Sequence, residues 1–244
     1  MIRALCLLTV RECNRRPFPF AAALTFIVLA LLSMLFLGYS FGQEGVQARH
    51  LALSAVFLGG LAQAVFVGAT LIRTDLQRGT LSVLLTTPVL PSTYIIGRYL
   101  GLVVSSLALC AALAAGVALL FLLLPLQAGH SAAVAHPFLH AATWTALGRT
   151  LLLVAVFDAA ALAASAGLGR TAAPLALFSL FLGGSLHPAG AGFVFLPDWT
   201  LFVLDHPAPP PAGLLAGYAL VLTGLFLVVA YILLGLRPPA SVRG

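Results

Sequence analysis

The chain contains no lysine: all twelve of its basic side chains are arginine. A P-loop needs a Lys at the phosphates and a Schiff-base enzyme needs a Lys amine, so neither chemistry can be built here. If ATP drives this protein, another chain binds the nucleotide. Charge of either sign is scarce, at 7% of residues, where a soluble domain carries about 25%. With 61% of its 244 residues hydrophobic, the chain has too little polar surface to cover itself. Its mean hydropathy is +1.11, and its solvent must be lipid. The net charge of +6 is therefore read as basic loops retained in the cytoplasm, not as a nucleic-acid surface. The three cysteines, Cys6, Cys13 and Cys110, have neither metal-ligand nor redox spacing and read as free thiols. No internal repeat, soluble domain or low-complexity tail is evident.

The apolar runs predict an all-α membrane protein with six transmembrane helices in a single domain. Residues 1–19 hold Arg3, Arg11, Arg15 and Arg16 among Leu and Ile, then Pro17 and Pro19. That pattern fits an interfacial helix stopped by proline, although Leu7 and Leu8 fall among the charges. Phe20–Phe41 is the first span, and its apolar core is longer than the 7–15 residues of a cleaved signal. Leu51–Ile72 follows, then a charged island, then Ile95–Leu124, which is long enough to tilt. Leu147–Leu168 is the fourth span. Ala172–Leu186 is short for a crossing, and Leu214–Leu236 is the sixth. Between the last two, 187–213 is rich in Pro and Gly yet holds apolar patches on both sides of Pro197 and Asp198. It reads as an external re-entrant helical hairpin with Trp199 at the headgroups. Ten arginines then fall on one side and two, Arg49 and Arg149, on the other. That bias sets both termini and the island in the cytoplasm, and all six histidines outside.

Four places in the chain stand out as polar. The island around Arg73, Asp75, Gln77 and Arg78 continues through Gly79-Thr80 into LSVLL, with Pro88 and Pro91 as stops. Held by turns at both ends, it can take a push from a partner and pass it to the helices it joins. The plain alternative is a basic loop kept inside by its charge. Asp158 is the one acid deep in a span, where a bare carboxylate costs about 2.5–3.5 kcal/mol on insertion scales. It is a substrate or proton relay, or a structural tie to a neighbouring helix. Arg149, nine residues earlier, is about 13 Å away along the axis and out of direct reach. Gln63, mid-span in the second run, is expected to face other helices. His136 and His140 (HPFLH) stand one helical turn apart and could share a metal, but two ligands close no site and outer-loop histidines are usually solvated. No metal or cofactor is expected.

The run from Asp75 through Gly79-Thr80-Leu81, Leu84-Leu85 and Pro88, followed by Tyr94, Gly97, Arg98 and Gly101, resembles the cytoplasmic segment of ATP-binding-cassette type 2 permeases. Arg98 stands where those have Lys, and Gln77 where a second acid is common. Leu196-Pro197 to Phe202 is similar to a stretch before the last helix in the branch of multicopper-enzyme maturation permeases, and the haem-exporter membrane subunits share the layout. The resemblance implies that 73–94 is a coupling segment, with Asp75, Gln77, Arg78, Gly79, Thr80, Leu84 and Pro88 facing an ATPase. It also implies a permease dimer, homodimeric or with a paralogue, in a bacterial inner membrane. Its partners would be two ATPase subunits, lipid and, in some members, a periplasmic accessory protein. The chain would not itself be an enzyme. The alternatives from other classes are a self-sufficient secondary transporter or channel, and a scaffold that holds an enzyme at the membrane.

Overall fold

A computed structural model of the chain describes residues 2–16, 44–79, 90–128, 141–169, 171–185 and 211–236. Among these, every regular element is helical. Helix α1 covers Ile2–Arg15 and α2 covers Glu44–Gln63. A π-helical turn, Ala64–Gly68, joins α2 to α3, Ala69–Gln77, so the three form one rod. Next come α4 (Pro91–Ala128), α5 (Ala141–Gly167), α6 (Ala172–Ser185) and α7 (Ala212–Gly235). Pro91 opens α4 at the first helical position, where its missing N–H leaves no bond unmade.

Four stretches are long and apolar enough to cross a membrane: Leu53–Gln77, Pro91–Gly116, Thr143–Gly167 and Ala212–Gly235. They correspond to the second, third, fourth and sixth runs of the sequence. The fifth run is a short apolar helix, as its length led one to expect. Phe20–Phe41 and nearly all of 187–213 lie outside the described residues, as do Thr80, Leu84, Pro88, His136 and His140.

The bundle is built round α5. Its spanning window is 72% buried, against 17% for α7. The reason is in its sequence: Ala159, Ala160, Ala161, Ala163 and Ala166 let neighbouring backbones come close, which is how helices associate when lipid supplies no hydrophobic drive. One core joins α2, α5, α6 and α7 through Leu61, Val65, Phe157, Leu177 and Leu215. Phe181 of α6 closes it, with ring centroids 5.6 Å from Phe57 and 5.9 Å from Phe157. A second core joins α1, α3, α4, α5 and α7 through Leu5, Leu71, Ile72, Tyr94, Ile95, Leu102 and Leu162.

Helix α1 does more than the interfacial pattern foretold. Leu7 and Leu8 are exposed, as are Arg3, Arg11 and Arg15. The opposite stripe, Leu5, Thr9 and Cys13, is buried against α4. There the glycines Gly97 and Gly101 leave room for it. A Cβ on Gly97 would lie 2.8 Å from Leu5 Cβ, and one on Gly101 would lie 2.5 Å from Thr9 Cβ. Cys13 reaches Ser105, one turn further along α4. The order Leu5–Gly97, Thr9–Gly101, Cys13–Ser105 means that the two helices run parallel in a small-residue groove.

Candidate functional site

Two polar sites are set into this apolar frame. The first lies at the end of the bundle where α3 stops and α4 starts. Tyr94 and Arg98 stand one turn apart on the same face of α4. The Arg98 guanidinium pairs through Nη2 with Asp75 Oδ2. Its Nη1 donates to Thr9 Oγ1 and to Glu12 Oε2, both at 3.1 Å. The Tyr94 hydroxyl donates to the same Asp75 oxygen at 2.5 Å. The guanidinium carbon also sits 5.8 Å from the centre of the Tyr94 ring, within cation–π range. Glu12 meets two more arginines, Arg16 Nη2 at 3.4 Å and Arg78 Nη1 at 3.6 Å, and Arg16 Nη1 donates to Thr70 Oγ1 at 2.8 Å. Two carboxylates and three guanidiniums thus tie α1, α3 and α4 at one level.

This corrects one expectation. Asp75 is expected to face a partner from the island, yet it is 3% exposed, and the Arg98 that pairs with it is 2% exposed. A charge can leave water when its partner leaves with it and the remaining donors are used. Only the Nε of Arg98 lacks a partner in the cluster among the described residues. Of the residues expected to face a partner, Gln77 and Arg78 are exposed. Gly79 ends α3 with φ of 70°, the left-handed conformation that favours glycine. Its N–H bonds the carbonyl of Leu76 at 3.3 Å, and the N–H of Arg78 bonds that of Thr74 at 3.0 Å. The helix is therefore capped straight after Arg78.

Burial pushes the Cys13 thiol up to about 11, and the hydrogen bond with Ser105 only partly opposes this. The thiol is a weak acid in the α1–α4 seam, not a reactive thiolate.

The second site lies halfway along the spans. Gln63 is buried, as expected for a polar residue facing other helices, and its Nε2 donates to Ser105 Oγ at 2.9 Å. The next residue begins the π turn, where the N–H of Ala69 reaches back five residues to the carbonyl of Ala64. Just beyond it, Ser165 Oγ of α5 accepts from the N–H groups of Ile72 at 3.0 Å and Arg73 at 3.2 Å. Asp158 is wholly buried, and the Ser106 hydroxyl faces it. Neither carboxyl oxygen, nor Ser106 Oγ, makes a well-formed hydrogen bond among the described residues. Ser106 belongs to α4, so the group that faces Asp158 comes from a neighbouring helix and not from Arg149.

Sequence reasoning missed Glu12, Thr9, Ser105, Ser106 and Ser165. One signal was available: Gly97, Gly101 and Ser105 repeat at four-residue spacing, the mark of a groove for a second helix. Among the described residues no group of three or more His, Cys, Asp and Glu could hold a metal ion. The chain matches no family model and no curated protein.

Proposed function

We propose that this chain is the transmembrane permease subunit of an ATP-binding-cassette type 2 exporter, driven by a separate ATPase that docks on the cytoplasmic segment 73–94. It works with a second copy or a paralogue in the inner membrane, with both termini cytoplasmic. The observation that carries the reading is the ionic cluster at the base of α3 and α4. The segment Thr80–Val89 joins those two helices, and Asp75, Tyr94, Arg98 and Glu12 lock their ends to α1. A force on the segment meets a cross-linked base rather than two loose helix ends, so it reaches both helices and α1 together. The lack of any Lys for a P-loop is in keeping with an engine on another chain.

Asp75 is a poor place to test docking, because its substitution disturbs the buried cluster. Gln77 is exposed on the last turn of α3 and is the cleaner site. Affinity-tagged chain, purified from its native membranes, is expected to bring down a P-loop ATPase. Gln77→Trp should lose that ATPase while keeping the wild-type melting temperature, and Gly79→Trp should also lose it. Wild-type recovery of the ATPase with both variants would overturn the reading.

Asp158 favours a second reading, a secondary transporter that needs no engine, since such proteins place ionisable groups at mid-membrane. Movement of cargo by the purified chain alone in liposomes would decide for it.

A further inference from the structure

We infer that Asp158 is a proton-binding site in the membrane interior, held as the neutral acid and closed by α4. The inference stands whichever reading of the whole protein holds.

The carboxyl is fully buried on the most enclosed helix of the bundle, and neither of its oxygens makes a well-formed hydrogen bond among the described residues. Facing it is a second buried polar group without a well-formed hydrogen bond among them, Ser106 Oγ. A carboxylate at this depth would need a cation or several donors. A protonated carboxyl needs much less, because it carries its own donor and can give its O–H to a hydroxyl. A proton is thus the ligand that this pair of unmet groups fits.

The other titratable groups near enough to sense Asp158 are Cys13 of α1 and Tyr99 and Cys110 of α4. Thr223 of α7 stands behind the Tyr99 hydroxyl, and no arginine or histidine among the described residues acts on the acid. When the O–H bond breaks and the proton leaves to water, the carboxylate must recruit the Ser106 O–H as donor. Ser105, the next residue on α4, already holds Gln63 at the start of the π turn. Loss of the proton therefore changes how α4 and the α2–π–α3 rod sit on α5.

The test uses the full chain in lipid nanodiscs and a hydrophobic carbodiimide, which reacts with protonated carboxyls inside a membrane. Peptide mass spectrometry should find the adduct on Asp158 and not on the ion-paired Asp75. Labelling should be constant at acidic pH and fall about tenfold per pH unit once the group ionises. Infrared spectra of the wild type at neutral pH should contain a protonated-carboxyl band that shifts in heavy water and is missing in Asp158→Asn. Absence of both the adduct and the band would overturn the inference, because the group would then be ionised. So would protection by sodium chloride without any pH dependence, which would make the ligand a metal cation.

Discussion

A single methyl group at Gly101 tests how firmly α1 is built into the bundle. The Cβ of Gly101→Ala would lie 2.5 Å from Thr9 Cβ and 2.7 Å from the carbonyl oxygen of Cys6. A rotamer change can move neither atom, because one is backbone and the other is fixed to it. Ordinary carbon contact is about 3.5–4.0 Å, so α1 must step back by about 1 Å. The two bonds from Arg98 to Thr9 and Glu12, each 3.1 Å, would then pass beyond hydrogen-bond range. Bonds to a charged group are worth about 1.5–3 kcal/mol each. Glu12 keeps Arg16 and Arg78, so a net loss of about 2 kcal/mol is a fair expectation, equal to roughly 30-fold more undocked helix. Cys13 reports the docking. It is buried in the seam, and its thiol is pushed from an ordinary 9.0 to about 11, which suppresses the reactive thiolate. Maleimide labelling of Cys13 at neutral pH should accelerate by that factor in Gly101→Ala. Cys6, already partly exposed, serves as the reference. In the wild type, the raised value means that docking favours the protonated thiol. Its contribution is whole below pH 9.0 and is lost as pH rises from there to about 11, so labelling of Cys13 should go on climbing with pH up to about 11. Equal Cys13 rates in wild type and Gly101→Ala would refute the docked helix.

Removing either of two arginines that meet Glu12 should have very different results. Arg78 has a side chain 67% exposed, so Arg78→Gln should change the melting temperature little, a surface pair being worth about 0–1 kcal/mol. Arg98→Met leaves Asp75 buried without its cation and should cost about 3–5 kcal/mol, part of which Asp75→Asn in the same chain should restore. Thermal unfolding of the three variants in one detergent checks the order. Ser165→Ala removes the side-chain acceptor shared by the N–H groups of Ile72 and Arg73 and should cost about 0.5–1.5 kcal/mol. Faster amide exchange confined to the π turn and α3 would mark that loss as local.

The spans were legible because length and apolarity suffice to announce them: about twenty apolar residues must go into lipid whatever surrounds them. The limits of the buried region were not. The second run was expected to end at Ile72, where charge begins, yet the rod continues to Gln77 with Asp75 inside. Composition treats each charge singly, whereas burial depends on whether Arg98, twenty-three residues away, arrives with it. The groove at Gly97 and Gly101 could be read as a place of close approach, but four-residue spacing does not say which helix approaches. The π turn had no local signal, since its stretch, AVFVG, carries no proline.

Helix α1 links the two polar sites. Its Thr9 and Glu12 belong to the ionic cluster, and Cys13, one turn later, touches Ser105 and senses Asp158. The same face of one helix therefore contacts the base of the spans and their middle. Replacing the cluster by well-packed apolar side chains would be about as stable, so stability alone does not account for burying it. What the charges add is direction. Arg98 accepts one arrangement in which Asp75, Thr9 and Glu12 are all satisfied, and a shift of α1 along its groove breaks that arrangement and also unseats Cys13 from Ser105. These polar contacts, from Thr9 to Cys13, lie in the C-terminal half of α1 and fix its register on α4. That register makes the N-terminal helix a packed part of the bundle and not merely a surface anchor.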